Sequence, residues 1–155
     1  MKFLFDEMLK RLSNWCRVFG IDSEYHKGME DSELLGHAKE NNLVFVTRDV
    51  QLAERCRKHS VECVFIKSNR VEEQVARLVR ESGVEMTFPE KMRCTACNGV
   101  LEPVETKKAR GKIPEDVYSQ GKKAWKCSNC GKYYWQGGHW KNIKKMHEKV
   151  ISALE

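Results

Sequence analysis

No stretch of this sequence approaches the roughly 18 consecutive apolar residues that a membrane-spanning helix needs. The amino-terminal run MKFLFDEMLKRL holds only a short apolar patch before Asp6 and lacks the apolar core of a secretory signal. Internal repeats and low-complexity tracts are missing as well. The cysteines, seven in all, cannot pair completely within one chain, which argues against a disulfide framework. These absences lead to the expectation of a cytoplasmic protein without membrane association. With 41% hydrophobic and 32% charged residues, the chain is globular rather than disordered.

Charge is unevenly placed. Residues 1–90 carry 14 Lys and Arg against 16 Asp and Glu, whereas residues 91–155 carry 14 against 6. An acidic first part and a basic second part imply a division of labour, with the basic part suited to an acidic polymer.

The first 85 residues alternate between strand and helix patterns. Lys2–Phe5 reads as a short apolar strand, and Met8, Leu9, Leu12, Trp15, Cys16 and Phe19 recur at helical spacing up to Gly20. Ile21–Tyr25 is a weaker strand and Asp31–Asn41 a helix. Leu43–Val46 is a continuous apolar run of the kind found in buried parallel strands. Asp49 opens a third helix, Val61–Ile66 is a fourth strand, and Val71–Glu81 a fourth helix ending near Gly83. This βα rhythm predicts an α/β fold, a parallel sheet with flanking helices, over residues 1–90. Residues 84–92 read as a linker. Residues 91–155 form a second unit in which the rhythm is lost, closed by a helix over Trp140–Leu154 with Ile143, Met146, Val150 and Ile151 on one face.

Four of the cysteines form two C-x-x-C pairs, Cys94/Cys97 and Cys127/Cys130, followed by Asn98-Gly99 and by Gly131. Such a turn brings two sulfurs to about the edge length of a zinc tetrahedron, and glycine permits the sharp turn that aims backbone N–H groups at sulfur. A redox C-x-x-C is the alternative, but that motif normally occurs singly, between a strand and a helix. Its double occurrence outside the βα region favours a closed Cys₄ structural zinc site on a treble-clef or ribbon-like module, with no open position for catalysis. Cys16, Cys56 and Cys63 read as small buried hydrophobes.

Three acids stand at strand-to-helix junctions: Asp6, Asp31 and Asp49. Each alone reads as a helix cap. If the sheet order is 2-1-3-4, Asp6 and Asp49 converge and Asp31 reaches the same crevice, beyond the carboxyl ends of the strands where such folds bind ligands. Two carboxylates about 4 Å apart repel by roughly 4 kcal/mol at an effective dielectric near 20, so convergence calls for a cation. Oxygen ligands favour Mg²⁺ or Mn²⁺, which activate water in phosphodiester cleavage.

Phe5-Asp6-Glu7-Met8-Leu9, the stretch from Trp15 to Gly20, Asp31-x-Glu33-Leu34-Leu35 and Val46-Thr47-Arg48-Asp49 resemble a PIN-like nuclease domain. The two cysteine pairs with Tyr134-Trp135-Gln136-Gly137-Gly138-His139-Trp140 resemble the zinc module that accompanies it. Together, over nearly the whole chain, they resemble the Mut-seven C-terminal RNase domain family. The resemblance implies a PIN-like sheet fused to a zinc ribbon and a ribonuclease activity. It implies Asp6, Asp31 and Asp49 as Mg²⁺ or Mn²⁺ ligands and Glu33 as a fourth acid, and no acid is found for that place near the fourth strand.

RNA is therefore the expected partner, with ribosomal and transfer RNA as candidates. Arg48, Lys107, Lys108, Arg110, Lys112, Lys122 and Lys123 are its candidate contacts, with Lys126, Tyr133, Tyr134, Trp135 and Trp140 near them. A solvated lysine surface, and aromatics packed around the zinc site or against the first domain, are the alternative readings. His139 reads as structural rather than as a fifth zinc ligand. A non-catalytic RNA- or ribosome-binding module, or a protein adapter, is the competing function.

Overall fold

The structure, a computed structural model, describes residues 1–155. Strands β1 (Phe3–Phe5), β2 (Ser23–Tyr25), β3 (Val44–Thr47) and β4 (Cys63–Phe65) form one parallel sheet in the order β2-β1-β3-β4. This is the order on which the convergence of Asp6 and Asp49 depends. Every residue of β1 and β3 is buried, as expected of central parallel strands covered on both faces.

Alternation along these strands sorts the side chains. Phe3, Phe5, Val44, Val46 and Val64 face α1 (Lys10–Val18) and α4 (Val71–Ser82). Leu4 and Phe45 face α2 (Asp31–Glu40) and α3 (Val50–Lys58), against Leu34, Leu35, Ala38, Leu52 and Cys56. Cys16 and Cys56 are fully buried and Cys63 half-buried, as small hydrophobes would be. Glu7–Leu9 forms a tight 3₁₀ turn rather than the first turn of α1. Met8 is consequently 69% exposed and lies off the apolar face to which the periodicity assigned it.

Gly20 ends α1 with φ +86°, and a Cβ there would fall 2.6 Å from the Lys91 carbonyl oxygen. Only glycine lets the segment after α4 pass so close. That segment, residues 84–92, has no regular element but is not a free linker. Phe88 and Met92 are buried, and the Thr87 and Arg93 N–H groups donate to the carbonyls of Phe19 and Arg17.

A second sheet, antiparallel, joins β5 (Leu101–Val104), β6 (Ala124–Cys127) and β7 (Tyr133–Trp135) in sequence order. The β5–β6 connection contains a short helix, α5 (Glu115–Ser119), that no periodicity in the sequence marks. Pro114 precedes it, Glu115 and Asp116 complement its amino end, and Val117 anchors it on Ala109, Ile113 and Ala124.

The closing helix, α6 (Trp140–Leu154), packs on α4. Val150 is buried and Ile143 and Met146 partly so, but Ile151 is exposed; Ala153 and Leu154 take the contact instead. No helix is long and apolar enough to cross a membrane. One core runs through both parts of the chain, from Phe3 and Phe19 through Phe88 to Cys94, Leu101, Trp125 and Val150.

Candidate functional site

Asp6 follows β1 directly and is buried, at 9% exposure. The buried Thr47, at the end of neighbouring β3, donates from Oγ1 to Asp6 Oδ2 at 2.8 Å. The same hydroxyl accepts from the Asp49 N–H at 3.0 Å. Thr47 thus ties two of the three acids together through one oxygen.

Asp49 caps α3, its Oδ1 accepting from the N–H groups of Gln51 at 2.8 Å and Leu52 at 3.2 Å. Capping and site geometry coexist, because Oδ2 has no protein donor. Asp31 is the first residue of α2, whose N-cap, Glu30, makes no side-chain cap hydrogen bond. Burial pushes the Asp6 carboxyl above its ordinary range; Thr47 and the Glu7 N–H oppose this, and the charges of Asp31 and Asp49 add to it. The three acids therefore share one electrostatic environment at the carboxyl end of the sheet.

Their oxygens do not all lie within 4.8 Å of one another, unlike two other ligand clusters in the molecule. Opposite ligands of one Mg²⁺ are about 4.2 Å apart at bond lengths of ~2.1 Å. At least one carboxylate would thus reach such an ion through water, the usual way Mg²⁺ is held by proteins. On donor chemistry the site fits a hydrated Mg²⁺ or Mn²⁺.

Glu33 is exposed. It stands two positions along α2 from Asp31, about 200° around the helix, where side chains do not face one another. Arg48 is exposed and forms no ion pair; its Nη2 donates to the Lys67 carbonyl at 3.4 Å, which leaves the guanidinium beside Asp49 without an acidic partner. Tyr25, which the sequence reading passed over as a site residue, donates to the Glu7 carbonyl at 2.6 Å. Burial raises its phenol pKa, with Glu7 and Asp6 adding to the rise. Its position at the end of β2, beside Phe5 in the ladder, is the signal that could have found it.

The cysteines converge as the spacing predicts. All four sulfurs lie within 4.8 Å of one another, with Cys94–Cys130 at 3.7 Å and Cys97–Cys127 at 3.4 Å. A ZnS₄ tetrahedron with bonds of about 2.3 Å has edges of about 3.8 Å, so the cluster could hold a zinc ion. The N–H groups of Asn129 and Cys130 point at Cys127 Sγ, and the Tyr134 hydroxyl lies 2.9 Å from Cys94 Sγ. A Cβ on Gly99 would sit 2.7 Å from Cys127 Sγ, so glycine is required there. His139 is not part of the cluster.

Arg17, buried on α1, ties this cluster to the first sheet. Its Nε donates to the Ser23 carbonyl at 2.9 Å and its Nη1 to the Thr95 carbonyl at 2.7 Å. Burial lowers its pKa, and the nearby Cys94 and Cys97 thiolates counter that. A zinc ion with four thiolates carries a net charge of −2, and Arg17 is the buried cation beside it. Asn98 completes the contact, accepting from the Ser23 N–H at 2.9 Å and donating to Asp22 at 2.7 Å.

Lys107, Lys108, Arg110, Lys112 and Lys123 are exposed and Lys122 is half-buried, all between β5 and β6; none forms an ion pair with Asp6, Asp31 or Asp49. Arg110 lies over the Tyr118 ring at 5.4 Å and Lys126 over Tyr133 at 5.5 Å. Trp140 stacks on Trp125 at 5.3 Å, and Trp135 packs on the small core around Val117. Trp125, Trp135 and Trp140 thus contribute to packing.

A family model described as Mut7-C RNAse domain matches residues 1–147. The chain belongs to the Mut7-C RNase domain family. The match takes in both the acids and the cysteine cluster, so the family covers the parallel sheet and the zinc-type module together. Membership indicates a ribonuclease-like function, with RNA as substrate or partner. Neither the curated proteins nor the solved structures gave a match.

Proposed function

We propose that this Mut7-C domain is a metal-dependent endoribonuclease that cleaves RNA phosphodiester bonds at Asp6, Asp31 and Asp49. The observation that carries the reading is the Thr47 bridge, which ties a buried carboxylate to the backbone of a second acid and leaves an oxygen of Asp49 free. Such an arrangement costs stability unless a cation neutralises it. A bound Mg²⁺ or Mn²⁺ would supply a low-pKa water and charge stabilisation for the leaving oxygen.

The chain's own residues do the rest. Asp6 and Asp49 would hold the hydrated ion, with Thr47 fixing the Asp6 carboxylate and the Asp49 backbone. Arg48, free of an acidic partner, is available to a phosphate oxygen beside Asp49. Glu33 does not join this set. The four cysteines hold structural Zn²⁺, and the lysines between β5 and β6 attract the RNA backbone.

One observation favours a second reading, a non-catalytic RNA- or ribosome-binding module. The carboxyl end of β4 presents Lys67, Ser68, Asn69 and Arg70, with no acid to complete a four-carboxylate centre. Incubation of zinc-loaded protein with single-stranded and structured RNA, with and without Mn²⁺, separates the two. Nuclease action predicts Mn²⁺-dependent cleavage that Asp6→Asn abolishes while RNA binding persists. RNA binding by both proteins without turnover selects the second reading, and equal cleavage by both rejects the assigned acids.

A further inference from the structure

Glu24 on β2, His26 just after it and His37 on α2 bring their ligand atoms within 4.8 Å of one another. Glu24 Oε2 lies 2.8 Å from His37 Nε2 and 3.8 Å from His26 Nε2, and the two rings meet edge to face with centroids 5.3 Å apart. A tetrahedral ion with bonds of about 2.0–2.1 Å needs ligand separations of about 3.3 Å, and the two measured spacings straddle that value. His26 Nε2 is buried yet has no hydrogen-bond partner, an unmet demand in the middle of the cluster.

We infer that Glu24, His26 and His37 form a second metal site, for Zn²⁺ or a similar divalent transition ion. Imidazole nitrogen with one carboxylate suits Zn²⁺, Co²⁺ or Ni²⁺ rather than Mg²⁺. Three protein ligands leave a fourth position open, unlike the closed cysteine cluster. The side chains are 24%, 40% and 30% exposed, so an ion can enter from solvent.

The surroundings are compatible. Lys2 Nζ lies 3.5 Å from Glu24 Oε1, the oxygen that does not face the imidazoles, and so steers Oε2 towards them. Asn41 Nδ2 lies 3.2 Å from His37 Nδ1. With a metal on Nε2, Nδ1 would carry the proton and give it to solvent, because the Asn41 amide nitrogen is held by the His37 carbonyl at 2.9 Å. The site adjoins the acids: His37 lies six residues along α2 from Asp31, about 9 Å of helix.

The test is equilibrium dialysis of the full zinc-loaded chain against Zn²⁺ at neutral pH, with metal counted per chain. The wild type is expected to hold a second equivalent beyond the cysteine-bound one. His26→Ala and His37→Ala are each expected to weaken that equivalent about tenfold or more, and the double variant to hold one. Because both rings are partly exposed, retention of the first equivalent and an unchanged circular dichroism spectrum report intact folding. Absence of a second equivalent in the wild type, its persistence in the double variant, or its loss in Asp6→Asn alone would overturn the assignment.

Discussion

Thr47→Val is the most incisive perturbation of the acidic site, because valine keeps the shape of the buried side chain and removes only its hydroxyl. Two hydrogen bonds are lost together. The one to ionised Asp6 is worth about 1.5–3 kcal/mol and the one from the Asp49 N–H about 0.5–1.5 kcal/mol, and Thr47 is fully buried, so water cannot replace either. The expected destabilisation at neutral pH is about 2–4 kcal/mol, read from urea unfolding of the zinc-loaded protein. Asp6→Asn behaves differently. A carboxyl whose folded pKa is raised above the ordinary 3.8 contributes stability below that value, and the contribution is lost as pH rises through the folded pKa. Above that folded pKa it is gone. An amide at position 6, which cannot ionise, should therefore leave the protein at least as stable as the wild type.

The double variant decides the matter. In the Asp6→Asn background the acceptor is neutral, so removing the Thr47 hydroxyl costs about 1–1.5 kcal/mol less than in the wild type. Metal affinity reports independently: Thr47→Val raises the Asp6 pKa further, so the pH at which half the Mn²⁺ is bound moves upward. Strict additivity of the two substitutions, together with an unmoved pH midpoint, would refute the idea that Thr47 holds an ionised Asp6 for a cation.

Stripping zinc with a strong chelator is expected to lower the calorimetric Tm of the whole chain, not of residues 91–155 alone, because Cys94, Cys127 and Trp125 belong to the same core as Phe3 and Phe19. Gly99→Ala, which drives a methyl group into Cys127 Sγ, should weaken zinc retention about tenfold or more in a chelator competition. Arg17→Met removes two buried hydrogen bonds from a charged donor and should cost about 3–5 kcal/mol in denaturant unfolding. Neutralising Lys107, Lys108, Arg110 and Lys112 together should weaken single-stranded RNA binding and flatten its salt dependence by up to about 2.8 in log–log slope if all four meet phosphates.

Much of this was legible in the residue pattern because it is local. The βα rhythm follows from runs such as Leu43–Val46, and the cysteine cluster from a spacing that fixes two sulfurs per turn. Met8 and Ile151 were misassigned because a period cannot show a 3₁₀ turn or which way the packed face of α6 is turned near its end. The short α5 was missed because five residues are too few to show a period. What stayed hidden was tertiary. Arg17 reads as an ordinary helical cation until the fold sets it between Ser23 and Thr95, and Thr47 reads as a strand residue until β1 brings Asp6 beside it.

The same tertiary facts constrain how the two halves cooperate. Arg17, Asp22 and Asn98 dock the cysteine cluster where α1 ends and β2 begins, whereas Asp6 and Asp49 stand where β1 and β3 end. These are opposite edges of a sheet whose strands are only three or four residues long, so roughly 10 Å separates them. The cluster therefore influences the acids through shared packing rather than contact. Under the proposed function, the basic surface beyond it would act on affinity for a polyanion, and the acids on whatever is cut. A chain that lost its zinc would lose both, but a chain that lost Asp6 would keep its grip on RNA.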